Sequence, residues 1–305
     1  MRIFLSGGSG MLGKNIREHV GAKQYQIYAP SSSELNLLDT TNIKAYLSDN
    51  KIEMVIHCAG LVGGIQANIK DPVGFLNNNL LMGINVVNAS FQSGIQQLLN
   101  MGSSCMYPKD YTNPLKEEYI LNAPLEPTNE GYALAKIVVA KLCEYMCRQY
   151  NVQYKTLIPC NLYGRWDKFD DNHSHMIPAV IKKIYQAKTI GAHSVDIWGD
   201  GESRREFMLA KDCADAIFFV MRNFDKLDNY TNVGLGFDYT INEYYTTIAK
   251  VIGYEGSFKH DLTKPVGMKQ KLVDVTKMQS LGWTASHSLE DGISAAVAFY
   301  TQELN

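Results

Sequence analysis

Arg2-Ile-Phe-Leu-Ser-Gly-Gly-Ser-Gly-Met-Leu-Gly13 is the stretch on which the fold turns. An apolar run from Arg2 to Ser6 meets a glycine cluster, and the residues from Met11 to Val20 then carry apolar side chains at helical spacing. The segment reads strand, tight turn, helix. Working outward, Tyr25 to Ala29 is a second short strand ending at Pro30, Thr41 to Ser48 a helix, and Met54 to Ala59 a buried strand. The same rhythm continues with a long helix from Pro72 to Ser93, a strand from Gln97 to Met101, a helix from Glu130 to Gln149 and a strand from Tyr154 to Cys160. Strands that alternate with helices predict a doubly wound parallel α/β sheet, because a parallel connection needs a crossover that covers one face of the sheet.

Beyond residue 162 the pattern becomes irregular. Gly164 to His173 is rich in Asp, Asn and His and reads as a loop, and Leu289 to Leu304 reads as an amphipathic closing helix. We therefore expect a dinucleotide-binding domain over residues 1–162 and a smaller C-terminal α/β substrate lobe over 163–305, with some of its segments returning to the sheet. The composition limits the function. With 29 Lys+Arg against 31 Asp+Glu in 305 residues the formal charge is −2, which removes the electrostatic case for nucleic acid. No apolar run is long enough to cross a bilayer, and Met1 leads straight into the first strand, so a cytoplasmic, non-membrane protein is expected. The six cysteines contain no Cys-x-x-Cys pair, which favours reduced thiols and chemistry without a metal.

Gly7, Gly10 and Gly13 form G-x-x-G-x-x-G between the first strand and Met11, the first residue of the helix. Glycines let the backbone approach a pyrophosphate, and the helix N-terminus turns free N–H groups toward it. Ala59, at the end of the third strand, joins these residues as a cofactor-binding candidate. The end of the second strand holds Ala29-Pro-Ser-Ser-Ser33 and no acid at the point where NAD specificity is set. Ser31 and Ser32 could donate to a 2′-phosphate, so NADP(H) is favoured; the nearby Glu34 and the lack of an arginine leave NAD(H) open.

Tyr132 and Lys136 stand four residues apart, which on a helix brings a phenol and an ammonium to one face. The ammonium is expected to favour phenolate and bring the phenol's proton exchange toward neutral pH. Upstream, Gly102-Ser-Ser-Cys105 lies at the carboxyl end of a central strand, where doubly wound sheets bind their ligands.

With these motifs in order, the chain resembles the extended short-chain dehydrogenase/reductases, whose Rossmann-like fold it is then expected to share. The segments Glu34-Leu-Asn-Leu-Leu-Asp39, Val62-Gly-Gly-Ile65, Gly102-Ser-Ser-Cys-Met-Tyr-Pro108, Glu126-Pro-Thr-Asn129, Asn161-Leu-Tyr-Gly164, Ser174-His-Met-Ile-Pro178, Arg205-Glu-Phe207 and Lys271-Leu-Val-Asp-Val-Thr276 narrow this. They are similar to those of the GDP-L-fucose synthase family of GDP-4-keto-6-deoxy-mannose 3,5-epimerase/4-reductases.

The resemblance implies that Ser103 holds the ketone oxygen, that Tyr132 delivers a proton as C4 is reduced, and that Lys136 binds the nicotinamide ribose. It also implies that Cys105 and His175 are the acid/base pair for epimerisation, with His173 a rival two residues away. Arg205 matches a diphosphate-binding arginine, Lys183 stands at a basic position, and Asn161, Trp198 and Asp274 match substrate-pocket positions. A GDP-linked 6-deoxyhexose substrate and a homodimer built on the two long helices follow from the same likeness, and a GDP-linked heptose is left open by the chain's departures from the family pattern. The loop with Arg165-Trp166-Asp-Lys-Phe169 departs from the family pattern. Alternatives are a C4 reductase without epimerase activity and a 4-epimerase that recycles its cofactor. A dehydratase would need an acidic pair where Cys105-Met106 stands, and a cofactor-binding sensor would not need Ser103, Tyr132 and Lys136 together.

Overall fold

The computed structural model describes residues 1–170, 174–264 and 268–303, and the side chain of residue 303 is not among what it describes. His173, the rival to His175, and Leu304 lie outside the described residues.

Six parallel strands form the central sheet, in the spatial order Tyr230–Val233, Gln153–Pro159, Gln97–Met101, Met54–His57, Arg2–Ser6, Gln26–Tyr28. Alternation along each strand sends neighbouring residues to opposite faces. Ile3, Leu5, Met54, Ile56, Leu99 and Leu157 enter one core, whereas Phe4, Val55, Leu98 and Tyr154 enter the other. Both faces are covered, so the strands read as near-continuous apolar runs. The first and third strands are neighbours in space, with the second outside the first. The chain thus reverses direction across the sheet between Arg2–Ser6 and Met54–His57, which makes the carboxyl ends of these strands the ligand crevice.

The expected elements form with small shifts at their ends. The first helix spans Met11–Glu18, the long pair Pro72–Gln92 and Glu130–Tyr150, and the closing helix Leu289–Glu303. A third core gathers under the helices Met176–Thr189, Ile241–Ile252 and Leu289–Glu303. Short sheets surround it: Ser194–Trp198 beside Ser257–Asp261, and Arg204–Arg205 between Tyr239–Thr240 and Gln270–Lys271. Two segments beyond residue 163 pack on the nucleotide side. Helix Ala210–Arg222 lies against the first helix, and Tyr230–Val233 supplies an edge strand of the main sheet.

Among the described residues no helix is long and apolar enough to cross a membrane, and all six cysteines are free thiols.

Candidate active site

The glycine turn is built for a backbone to come close. Gly7 adopts φ +73°, and a Cβ there would lie 2.7 Å from the Ala59 nitrogen; a Cβ on Gly13 would lie 2.2 Å from the Gly7 carbonyl oxygen. The first helix has no side-chain cap at Gly10, which leaves its first-turn N–H groups directed at the crevice. Beneath the turn, His57 Nδ1 and Ser6 Oγ are 2.7 Å apart, and the same hydroxyl accepts from Ala59 N–H at 3.3 Å, tying the first and third strand ends together. Burial, helped by the Lys136 charge, pushes His57 down to about 3, so this tie is made by a neutral imidazole. Strand ends, glycine cradle and helix N-terminus together fit a dinucleotide.

At the end of the second strand, Ser31 does not stand open. Its N–H and its hydroxyl both donate to Glu34, at 2.7 and 2.8 Å, and its Oγ lies 2.9 Å from Ser33 Oγ. Glu34 therefore closes the serine turn and is held below the usual carboxylate range by these bonds. Ser32 is exposed at the same turn. A cation missed in the sequence stands nearby: Arg17 reaches back from the first helix to donate to the Gly8 carbonyl at 3.4 Å. Gly8 itself abuts Ala29, since a Cβ on it would meet the Ala29 Cβ at 2.6 Å.

The strand Gln97–Met101 ends at the Ser103 turn, where Ser103 Oγ accepts from Cys105 N–H at 3.2 Å. Helix Glu130–Tyr150 lies across this turn and brings Tyr132 into hydrogen bonding with Ser103. Lys136, 7% exposed, donates from Nζ to the Met101 carbonyl at 2.9 Å, with its nitrogen 5.8 Å from the centre of the Tyr132 ring. Burial pulls the Lys136 ammonium down to about 8.

Tyr132 corrects the expectation drawn from its neighbour. Burial, with the Cys105 charge adding to it, raises the phenol above its ordinary value, and the Ser103 hydrogen bond offsets only part of this. The ammonium is engaged by the main chain, so it does not make phenolate the resting form. A phenol held protonated is the form needed to donate a proton.

Cys105 is half-buried between two donors, Asn129 Nδ2 at 3.2 Å and Lys271 Nζ at 3.7 Å. His175 caps the N-terminus of helix Met176–Thr189 without a side-chain capping bond, and the adjoining Ser174 carbonyl lies 3.1 Å from where a Cβ on Gly64 would sit. Burial lowers His175, with Lys168 second, so it is neutral near pH 7. Among the described residues no hydrogen bond joins it to Cys105; the two come from different elements, with Gly64 against the histidine's.

The remaining candidates fall in three places. Asn161 donates to the Glu206 carbonyl at 3.0 Å beside Arg205, whose guanidinium is half-buried and bonded to the Arg204 carbonyl at 2.8 Å. Burial lowers Arg205, while Glu126 and Asp238 act the other way. Lys183 donates to the Asp196 carbonyl on the strand that carries Trp198, which is 55% exposed and available to a flat ring. Asp274 has one oxygen committed to its own turn, accepting from Thr276 N–H at 2.9 Å.

Glu206 was not singled out in the sequence. It is fully buried, and its carboxylate accepts from Leu235, Gly236 and Val273 N–H at 2.6, 2.9 and 3.0 Å. Burial still pushes it up to about 7. Nothing in its sequence position marks it as a clasp between three distant backbone segments.

Comparison with known proteins follows the same lines. The model of the NAD dependent epimerase/dehydratase family matches residues 3–236. The GDP-L-colitose synthase of Yersinia pseudotuberculosis is 55% identical over 306 residues, covering 100% of this chain and 99% of its own. The GDP-L-fucose synthase of Azorhizobium caulinodans is 46% identical, covering 98% and 96%. A GDP-mannoheptose C4 reductase from Campylobacter jejuni, solved with NADP bound, superposes with a TM-score of 0.89 at 28% identity, covering 99% and 98%. The glycine cradle, the Ser103–Tyr132–Lys136 cluster and this end-to-end similarity place the chain in the NAD dependent epimerase/dehydratase family, among the GDP-L-fucose and GDP-L-colitose synthases.

Proposed function

We propose that the chain reduces the C4 ketone of a GDP-linked 4-keto-6-deoxyhexose with NADPH, after epimerising the sugar beside that ketone. The observation that carries this reading is the placement of the Cys105 thiol on the same short turn as Ser103, against Tyr132. A plain reductase needs a ketone-binding hydroxyl and a proton donor; a thiol held next to them adds a group that can exchange protons on the neighbouring carbons.

In this reading Ser103 and Tyr132 bind the C4 oxygen. The carbonyl acidifies the adjacent C–H bonds, so Cys105 and His175 exchange protons there while the two hydroxyls stabilise the enolate. The bound cofactor supplies the hydride to C4. Tyr132 then gives its proton to the new alkoxide, and Lys136 holds the ribose and a positive charge below it. Gly7, Gly10, Met11, Gly13 and Ala59 receive the pyrophosphate and nicotinamide side of the cofactor. Arg17 and Ser32 face the 2′-phosphate, and the NADP held by the Campylobacter reductase supports this choice. Arg205 takes the substrate diphosphate, for which its planar fork is suited. Lys183, Trp198, Asn161 and Asp274 complete the pocket, and residues 163–305 serve mainly as the substrate lobe.

The 55% identical relative is named for colitose, the 3-deoxy counterpart of fucose. That favours a substrate lacking the 3-hydroxyl, for which C5 alone changes configuration. Two copies are proposed to pair through the long helices, where Leu134, Val138 and Tyr145 are exposed along one helix and Val73 and Leu81 along the other. Phe75 and Val87, on the helix of Val73 and Leu81, face the protein's own interior. The free thiols accord with a cytoplasmic enzyme.

The test is stoichiometry. One NADPH is expected to be oxidised for each 4-keto sugar converted. Product formation without net cofactor oxidation would mean a 4-epimerase that recycles its nicotinamide.

A further inference from the structure

We propose that the cavity beside the start of helix Glu130–Tyr150 is a subsite for the sugar's C3 hydroxyl, with Asn68 as the residue that makes it selective for that group. The proposal rests on the reading of the Ser103–Tyr132 cluster as a GDP-4-keto-6-deoxyhexose site. It goes beyond that reading by naming where the one group that separates the 3-hydroxy from the 3-deoxy sugar binds.

The cavity, of about 190 Å³, lies between the short helix Ile65–Lys70, the turn Pro127–Asn129 and the first residues of the Tyr132 helix. Ile69, Pro72 and Phe75 give it apolar walls, which Asn68 and Asn129 interrupt. Asn68 is 7% exposed, and its Nδ2 donates to the Gly63 and Gly64 carbonyls, both at 3.0 Å. Two carbonyls can only be met by N–H, so they fix the orientation of the amide. Its Oδ1 is left buried and, among the described residues, without a donor. Asn129 repeats the pattern. As N-cap it makes no side-chain bond to its own helix, its Nδ2 goes to the Cys105 sulfur at 3.2 Å, and its Oδ1 is buried with no donor among the described residues.

A buried acceptor without a donor is costly, so whatever the cavity takes must bring an O–H or N–H. The positive end of the helix dipole disfavours a cation here, and two amide oxygens with Glu130 at the rim disfavour an anion. A neutral donor on an apolar frame remains, and a hydroxyl's rotatable proton can be given to either oxygen. The surrounding elements place that hydroxyl on the sugar. Asn129 ties the cavity to Cys105, and Gly64, the N-cap of the Asn68 helix, abuts the Ser174 carbonyl next to His175. The cavity is thus bounded by the elements that lead to the two groups assigned to the carbons beside the ketone. A 4-keto-6-deoxyhexose joined to GDP through C1 has free hydroxyls at C2 and C3 only, and the one next to the ketone is at C3. The 3-deoxy sugar has no hydroxyl to give at that carbon.

The experiment measures NADPH oxidation on GDP-4-keto-6-deoxy-mannose and on its 3-deoxy counterpart, with wild type, Asn68→Leu and Ile69→Phe. Ile69 is 53% exposed, so the added ring of Ile69→Phe enters the cavity from the surface and spares the Asn68 amide with its tie to Gly63 and Gly64. Wild type is expected to reduce both sugars. In Asn68→Leu the ratio of kcat/KM, 3-hydroxy over 3-deoxy, is expected to fall about tenfold through KM, the factor that one lost hydrogen bond supplies. Ile69→Phe is expected to lower the ratio in the same direction. An unchanged ratio in Ile69→Phe overturns the proposal, whether or not Asn68→Leu folds. So does an equal loss on both sugars in Asn68→Leu, which would mean that Asn68 only holds the Gly63–Gly64 turn or that the cavity takes water alone. A wild type that reduces only the 3-deoxy sugar also overturns it, whereas no NADPH oxidation on either sugar removes the reductase reading instead.

Discussion

Tyr132→Phe is expected to lower kcat by about 10²- to 10⁴-fold, the range contributed by a positioned general acid, while leaving NADPH affinity within about threefold. The phenol is hydrogen-bonded to Ser103 at the ketone position, and burial keeps it protonated, so its loss removes the proton donor and leaves the cofactor cradle as it was. Stopped-flow reduction rates and fluorescence titration of NADPH read the two quantities separately. The same assay carries a pH signature. Lys136 is drawn down to about 8 by burial, so its ammonium is intact below that pH and is lost above it. In the free enzyme kcat/KM is therefore expected to decline above pH 8, tenfold per unit, whereas Tyr132, raised above its ordinary value, stays protonated through this range. A profile flat to pH 10 would mean that the Lys136 charge does not serve the reaction.

The second large effect is expected at a residue that touches no substrate. Glu206→Ala leaves three N–H groups without their acceptor: that of Val273, which is buried, and those of Leu235 and Gly236, which lie nearer the surface. At about 1–3 kcal/mol for the buried Val273 donor and less for the two that water can reach, the loss is about 3 kcal/mol, a fall in Tm of roughly 6 °C or more. Glu206→Gln keeps an oxygen for Leu235 and Gly236 but sets an amide N–H against Val273 N–H, so it is expected to fall between wild type and the alanine variant. Because Val273 leads into Asp274 and follows Lys271, surviving enzyme should show a raised KM for the GDP-sugar with little change in KM for NADPH. Differential scanning calorimetry and steady-state kinetics check both; an alanine variant with unchanged Tm would contradict the clasp.

Much of this molecule could be read in the residues because its signals are local. The strand Gln97–Met101 and the start of helix Glu130–Tyr150 fall where hydrophobic period and turn residues put them, and Gly7 and Gly13 lie where a side chain would collide with the backbone. Tyr132 and Lys136 were visible for the same reason, being one helical turn apart. What sequence spacing could not supply was long-range. Glu206 gathers N–H groups from segments about 30 and 67 residues away, and Lys271 reaches a cysteine 166 residues earlier. The electrostatics were also out of reach, since a phenol four residues from an ammonium is expected to drop until burial and a Met101 carbonyl decide otherwise. Ser31 illustrates a third cause: a hydroxyl that could meet a phosphate is consumed three residues on by Glu34, an ordinary turn closure that a sequence presents only as proximity.

The central claim is that one site exchanges protons beside the C4 ketone and then reduces it. The most direct measurement is NMR of the GDP-sugar formed from GDP-4-keto-6-deoxy-mannose and NADPH in D2O, repeated with the 3-deoxy substrate. The account predicts a C4-reduced product that carries deuterium at C3 and C5 in the first case and at C5 in the second; reduction with protium retained at C5 in both would contradict it.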